Sequence, residues 1–223
     1  MRLVTWNVQT ARPNPDGPAD VDRVVARLRA LDPDVVALQE VDRGLRRSGG
    51  VDQGEAIAVG LGGRLVWAPT VRRGQGSYGH GLIVVRGEVV RVRDVPLGGT
   101  REPRTLLVAE LDHEGRRWTV GATHLSRRRR CAKEQLARCL DELAALPEPR
   151  VLLGDLNLTP RHVLPWSTAA GFQLVDGPPT HSTRHPIVMR KIDHVLVSGA
   201  QVTASATHHL DVSDHRAVAA TLA

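Results

Sequence analysis

Aromatic residues are scarce: four Trp, one Tyr and one Phe make up 3% of the 223 residues. Any core must therefore be built mostly from Val, Leu and Ala. Rows of aromatics interleaved with basic residues, which many nucleic-acid binders use for stacking, are missing. There are two cysteines, Cys131 and Cys139. Eight positions apart on a helix-like stretch, they are separated by about 12 Å of helical rise, too far for a disulfide. A reduced, cytoplasmic setting is expected. No run approaches the roughly 20 apolar residues of a membrane helix, and the N-terminus enters strand-like sequence without a basic segment and apolar leader. The amphipathic or apolar insertion of a membrane-surface lipase is also missing. Neither an internal repeat nor a linker is visible, so residues 1–223 are expected to form a single domain.

What is present is a 41% hydrophobic chain, enough for a full core, with a formal charge of +6 carried mainly by arginine. That balance favours anionic partners without choosing among nucleic acids, phospholipids and phosphorylated metabolites. Six short polar motifs each stand at one end of an apolar run. They are Thr5-Trp6-Asn7, Leu38-Gln39-Glu40, Thr123-His124-Leu125, Gly154-Asp155-Leu156-Asn157, Ile192-Asp193-His194 and Ser213-Asp214-His215. The runs read as buried strands. In the first four the polar group follows its strand, and in the last two it precedes one. Antiparallel neighbours would bring all six to one edge. An edge carrying so many ionisable groups is costly to build as mere structure, and it points to a metal-assisted hydrolytic site.

Between the motifs, Ala11–Pro18 reads as a turn-rich loop. Val21, Val24, Val25, Leu28 and Leu31 recur at helical spacing behind Asp20. Strands are expected at 2–8, 35–39, 65–67, 82–85, 89–95, 105–111, 118–124, 150–153, 195–197, 202–206 and 217–222. Further helices are expected near Glu55–Leu61, Cys131–Leu146 and Trp166–Ala170. Arg72–Gly81, with four glycines, reads as a mobile loop, and Thr159-Pro160 as a turn. Helices interspersed among many strands indicate α/β or α+β.

In order and wording, the six motifs resemble the endonuclease/exonuclease/phosphatase superfamily, and the resemblance runs from Arg2 to Leu222. It implies a DNase I-like four-layer sandwich of two packed mixed β-sheets flanked by helices. It also implies a metal-dependent hydrolase of phosphate esters, using Mg²⁺ or Mn²⁺. Thr123-His124-Leu125 is similar to the DNase I, sphingomyelinase and phosphatase side rather than to abasic-site endonucleases, which carry a tyrosine-containing segment there.

By that resemblance Glu40 matches the principal metal ligand, and Asn7 an asparagine beside it; alone, Asn7 would be a turn former. Asp155 positions or deprotonates the attacking water or helps hold a metal, and Asn157 bonds the phosphate. If extended, Asp155 and Asn157 point the same way. Asp193 pairs with His215, fixing its tautomer and raising its basicity. Asp214 resembles a metal-proximal carboxylate, on condition that Asp214 and His215 lie at a strand-start turn. His124 matches a histidine that contacts phosphate or protonates the leaving oxygen. Arg104 matches an arginine that opens a strand, with a salt bridge or a phosphate as its partner. His80 stands where relatives commonly have asparagine, which leaves its role open. The Arg127–Arg130 run is either a solvated face or a grip on distal phosphates. His194, His208 and His209 are expected at the surface. The Asn/Asp/Glu majority suits Mg²⁺ or Mn²⁺ better than zinc.

The expected partner is an anionic phosphate ester, with a nuclease or nucleotide phosphodiesterase slightly ahead of a phospholipid or sugar-phosphate phosphatase. No obligate protein partner is evident. A catalytically silent binding protein on the same fold is the answer of another class; its signature would be lost metal or base positions, and those are all present.

Overall fold

The computed structural model describes residues 1–12, 17–99, 102–182 and 188–223. Residues 13–16 of the expected Ala11–Pro18 loop lie outside the described residues. The elements run β1 (Arg2–Asn7), α1 (Val21–Leu31), β2 (Val35–Arg43), α2 (Gln53–Leu61), β3 (Arg64–Arg73) and β4 (Gly76–Val84). They continue with β5 (Glu88–Gly98), β6 (Arg104–His113), β7 (Arg116–His124), α3 (Arg129–Ala144), β8 (Arg150–Asp155) and α4 (Pro160–Ala169). The chain closes with β9 (Gln173–Leu174), β10 (His181–Ser182), β11 (Met189–Arg190), β12 (Asp193–Ser198), β13 (Val202–His208) and β14 (Ala217–Leu222).

Two six-stranded sheets form, in the orders β13-β14-β1-β2-β4-β3 and β5-β6-β7-β8-β12-β9. Each is antiparallel except for one central parallel pair, β1 with β2 and β7 with β8. A parallel pair needs a crossover, and α1 and α3 supply the two. The strands alternate their side chains between two buried faces. Leu3, Val35, Ala37 and Leu82 of one sheet meet Val120, Val151, Leu153 and Val195 of the other between the sheets. Val4, Trp6, Val36 and Leu38 face α1 and α2, while Leu152 and Leu196 face α3 and α4. This is the expected four-layer sandwich. Burying a Val or Leu side chain contributes about 1.5–3 kcal/mol, so the scarcity of aromatics is no handicap across three such interfaces.

Local chemistry sets the boundaries. Asp20 caps α1 by accepting the Arg23 N–H at 2.9 Å, and Asp52 accepts from Glu55 N–H at 3.2 Å at the start of α2. Three expectations need correcting. The glycine-rich Arg72–Gly81 stretch is not a loop but the end of β3, a tight turn and the start of β4. Its glycines admit close strand contact: a Cβ on Gly79 would lie 2.2 Å from the Ala68 carbonyl oxygen. Thr159-Pro160 is not a free turn but opens α4, where proline at the first helical position costs no hydrogen bond. His194 is fully buried rather than superficial, because β12 is covered on both faces.

Candidate active site

The six motifs converge at one edge. The C-terminal end of β1 brings Asn7 and the adjoining stretch of β2 brings Glu40, three residues before that strand ends, while the C-terminal ends of β7 and β8 bring His124 and Asp155 in register with each other. Asp193 begins β12, antiparallel to β8 and paired with Asp155. His215 lies just before β14, in the bend that sharing the site requires. Two bonds pin that bend to β1: the Trp6 indole N–H donates to the His215 carbonyl (3.1 Å) and Ser213 Oγ donates to the Asn7 carbonyl (2.6 Å); within the bend, His215 N–H donates to Ser213 Oγ (3.0 Å).

Two backbone features shape the edge. Pairing of β2 with β4 slips between Leu38 and Val41, a β-bulge in which Glu40 takes a left-handed φ of 57°. Such bulges re-aim a side chain. Gly154, at φ 150°, lets β8 approach β7 so closely that a Cβ would lie 2.0 Å from the Thr123 carbonyl oxygen. Only glycine fits immediately before Asp155.

Asp155 is the hub. Asn7 Nδ2 donates to Asp155 Oδ2 at 3.1 Å and to Glu40 Oε1 at 3.2 Å, joining the two carboxylates through one amide. Asn7 Oδ1 instead accepts the Gln9 N–H, so the amide offers these carboxylates its nitrogen. Asp155 Oδ1 accepts the Asn157 N–H at 2.9 Å. His124 Nε2 stands 3.5 Å and His215 Nε2 3.9 Å from Asp155 Oδ2. Burial and then the Asp193 charge push the Asp155 carboxyl up to about 7, against His215, Asn7 and Asn157.

His215 Nδ1–H donates to Asp193, whose oxygens lie 2.9 and 3.1 Å away. Burial works against charge on this ring, but Asp193, then Asp155 and Asp214, outweigh it and raise it to about 10. His124 is held well below its usual range by burial, then by Arg104, His80, His215 and Arg127. One imidazole is thus charged and the other neutral. Asn157 departs from the extended geometry expected of it: at φ 52° it turns, and its Nδ2 donates to the Leu125 carbonyl at 3.0 Å. Asp214 is half-buried, 3.6 Å from His181 Nε2 and 4.0 Å from His215 Nε2. Arg104 opens β6, buried, with Nη2 at 3.0 Å from Glu102. His80 is buried near the Ala122 carbonyl, yet neither ring nitrogen makes a hydrogen bond.

Some contributors have weak sequence signals. Thr180 Oγ accepts the Ile192 and Asp193 N–H groups, each at 3.1 Å, and so fixes the start of β12. The His181 ring packs against His215 at a tilt of 49°, with centroids 4.5 Å apart. Tyr78, half-buried on the glycine-rich hairpin, has its phenol raised by desolvation and then by Glu40 and Glu102. Nothing local in Thr180-His181 marks it beyond its position ahead of Asp193, and Tyr78 lies in the Arg72–Gly81 stretch whose glycines read as a loop.

The donor set fits a hard divalent cation. Burying a carboxylate costs several kcal/mol unless it is paired, and Asp155 has one charged imidazole, His215 at 3.9 Å, set against the neighbouring Asp193 carboxylate. Two groups of ligand atoms lie within 4.8 Å among the described residues: Asp155, Asp193 and His215, and His181, Asp214 and His215. Asp193 and His215 are already engaged with each other. This leaves Asp155, with Glu40 across the Asn7 amide, as the oxygen-rich side.

Such a two-sheet sandwich, with carboxylates and imidazoles gathered at one edge, is DNase I-like. A family model for the Endonuclease/Exonuclease/phosphatase family matches residues 4–215, and the chain belongs to that family. Its members are mostly hydrolytic phosphoesterases, generally dependent on divalent metal. The fold is similar to an endonuclease/exonuclease/phosphatase from Beutenbergia cavernae DSM 12333, with TM-score 0.80 and 28% identity over 100% of this chain and 71% of that one. It is also similar to D. rerio TDP2 complexed with a single strand DNA product (TM-score 0.79, 17% identity, 100% and 98% covered). A third likeness is to a family protein from Leptotrichia buccalis C-1013-b (0.79, 15%, 100% and 99%). A sequence search of curated proteins gives no significant match. No helix among the described residues is long and apolar enough to cross a membrane.

Proposed function

We propose that this protein is a Mg²⁺- or Mn²⁺-dependent phosphodiesterase acting on a nucleic acid or nucleotide in the cytoplasm. The observation that carries the reading is Asp155, a buried carboxylate fixed by Asn7 and Asn157 between one charged and one neutral imidazole. Glu40 and Asp155 would hold the cation, with Asn7 orienting both carboxylates and Asp214 a further ligand on the His181 side. When bound, it would neutralise phosphate charge and stabilise the leaving oxygen.

Asp155 aligns a water for in-line attack and takes its proton. His215, kept charged by Asp193, donates from Nε2 to a phosphoryl oxygen as charge builds there. His124 is neutral, so it contributes a hydrogen bond rather than a formal charge. Asn157 has one amide proton engaged by Leu125 and offers the second to the phosphate. Arg104 stands at the edge as an anchor for substrate charge. The likeness to a TDP2 structure holding a DNA product supports the choice of nucleic acid.

The test is hydrolysis of bis-p-nitrophenyl phosphate and p-nitrophenyl phosphate with Mg²⁺, Mn²⁺ or EDTA, beside Asp155→Ala. Metal-dependent release, higher on the diester, and a loss of at least about 10²-fold in the variant are expected. Near-normal turnover by Asp155→Ala would remove the central assignment.

A further inference from the structure

Arg104 and Arg127, whose charges reach His124, line a cavity of about 580 Å³ together with Ser126, Arg128 and Arg138. Around the start of α3 lies a second cavity of about 460 Å³, lined by Arg129, Arg130, Lys133 and Trp166. Glu134 borders both. Together they present seven cations against two carboxylates, and each carboxylate is already paired, Glu102 with Arg104 and Glu134 with Arg130. The two cavities hold the whole Arg127–Arg130 run.

The far cavity contains an unusual tryptophan. Trp6 and Trp118 are buried and Trp67 is half-buried, but Trp166 is 44% exposed on α4, amid three cations. Cationic grooves that follow a phosphate backbone, joined to an aromatic face on which a base stacks, are how single strands are bound without sequence preference. The geometry points to a single-stranded polynucleotide lying from the reacting phosphate at His124, over the start of α3, to Trp166, where an unpaired base stacks on the indole. This names the substrate class of the proposed phosphodiesterase and rests on that reading.

Two features favour a strand over other anions. Cations spread over two cavities exceed what one phosphate engages, so a mononucleotide leaves the second cavity unused. Arg104 is only 5% exposed, accessible to a phosphate in a cleft but not to a flat bilayer surface.

The probe is 5′-fluorescein-labelled oligothymidylate of twelve nucleotides, followed by anisotropy in EDTA so that it is not cleaved. Trp166→Ala should raise Kd about tenfold, with Trp166→Phe restoring most of the affinity. The double variant Arg127→Gln/Arg128→Gln should reduce the slope of log K against log salt by about 1.4, two phosphate contacts on a single strand. In Mg²⁺, the kcat/KM ratio of oligonucleotide to bis-p-nitrophenyl phosphate should fall at least tenfold in either Trp166→Ala or the arginine pair. Wild-type affinity and salt slope in both variants would overturn the proposal. So would a loss seen on phosphatidylglycerol/phosphatidylcholine vesicles but not on the oligonucleotide, which would make the face a membrane contact. Diester hydrolysis by the wild type reports separately on the proposed function, so failure of one is distinguishable from failure of the other.

Discussion

His194 and His80 make the protein sensitive to acid, by an amount that can be worked out. Both rings are buried, and burial lowers each to about 4, only partly offset by the Leu158 carbonyl at His194 and the Ala122 carbonyl at His80. In the unfolded chain each titrates near 6.5. Between pH 6.5 and 4 the unfolded state therefore binds more protons, and stability must fall as pH falls. The penalty is absent above 6.5, grows below it, and saturates below about 4. At pH 5 it amounts to about 2 kcal/mol per histidine. Two histidines give about 4 kcal/mol, a large share of the 5–15 kcal/mol typical of a folded domain. His194→Gln keeps a side-chain N–H for the Leu158 carbonyl, which His194 Nε2 meets at 2.7 Å, and does not titrate. His80→Asn likewise removes the titration. Urea unfolding at pH 7.5 and 5.0 gives the loss for each protein. Carboxylate contributions are common to all and cancel in the comparison. Each single variant should lose about 2 kcal/mol less than wild type, and the double variant about 4. If His194→Gln tracked wild type to within about 0.5 kcal/mol, the buried imidazole would not be the source and the reasoning would fail.

Asp193→Asn removes the largest of the charges that keep His215 protonated, leaving only Asp155 and Asp214 to oppose burial, so the ring gives up its proton at lower pH; kcat on a diester should drop about 10²–10⁴-fold. The deficit should widen from pH 6 to pH 8.5, because the variant loses its imidazolium across a range where wild type keeps it; a pH-independent deficit would contradict this. Glu40→Gln should raise the Mg²⁺ concentration for half-maximal activity at least about tenfold while urea stability changes by less than about 1 kcal/mol, since Glu40 is half-buried at the edge. Gly154→Ala combines a forbidden φ with a 2.0 Å contact to the neighbouring strand, and should cost about 2–6 kcal/mol in urea unfolding. Gly62→Ala has a φ of 70° but open space around it, so it should cost markedly less.

The strands carrying the site were readable because each is a short Val/Leu run whose polar end residue breaks the pattern. Val151–Leu153 before Asp155 and Val195–Val197 after Asp193 are the plainest cases. What escaped depends on partners distant in sequence. Nothing local tells Gly79 from a loop glycine; only the Ala68 carbonyl across β3 does. The bulge at Glu40 exists because β2 slips against β4, which extends the expected 35–39 strand to Arg43. Two prolines, Pro160 and Pro165, disguised the first turns of α4. His194 could have been placed. In a sheet covered on both faces every position of a central strand is buried, and His194 shares its face with Leu196.

The same topology explains why four motifs follow their strands and two precede them. Both sheets repeat one connectivity. A parallel pair joined through a helix, β1-α1-β2 or β7-α3-β8, is followed by a helix, an outer strand and an inner one, giving the orders β2-β4-β3 and β8-β12-β9. The parallel pairs point their C-terminal ends at the same edge, so Asn7 and Glu40 arrive on one sheet where His124 and Asp155 arrive on the other. Asp193 and His215 belong to strands antiparallel to those pairs, and they reach the edge only at their N-terminal sides. Antiparallel pairing alone, the simpler expectation, would not place the first four together; the two crossovers do. At the site the halves meet through the Asn7 amide bonded to Asp155 at 3.1 Å and through His215 Nδ1 bonded to Asp193 at 2.9 Å. A disturbance of the β1-α1-β2 half should therefore reach Asp155 through the Asn7 amide, which also holds Glu40 at 3.2 Å.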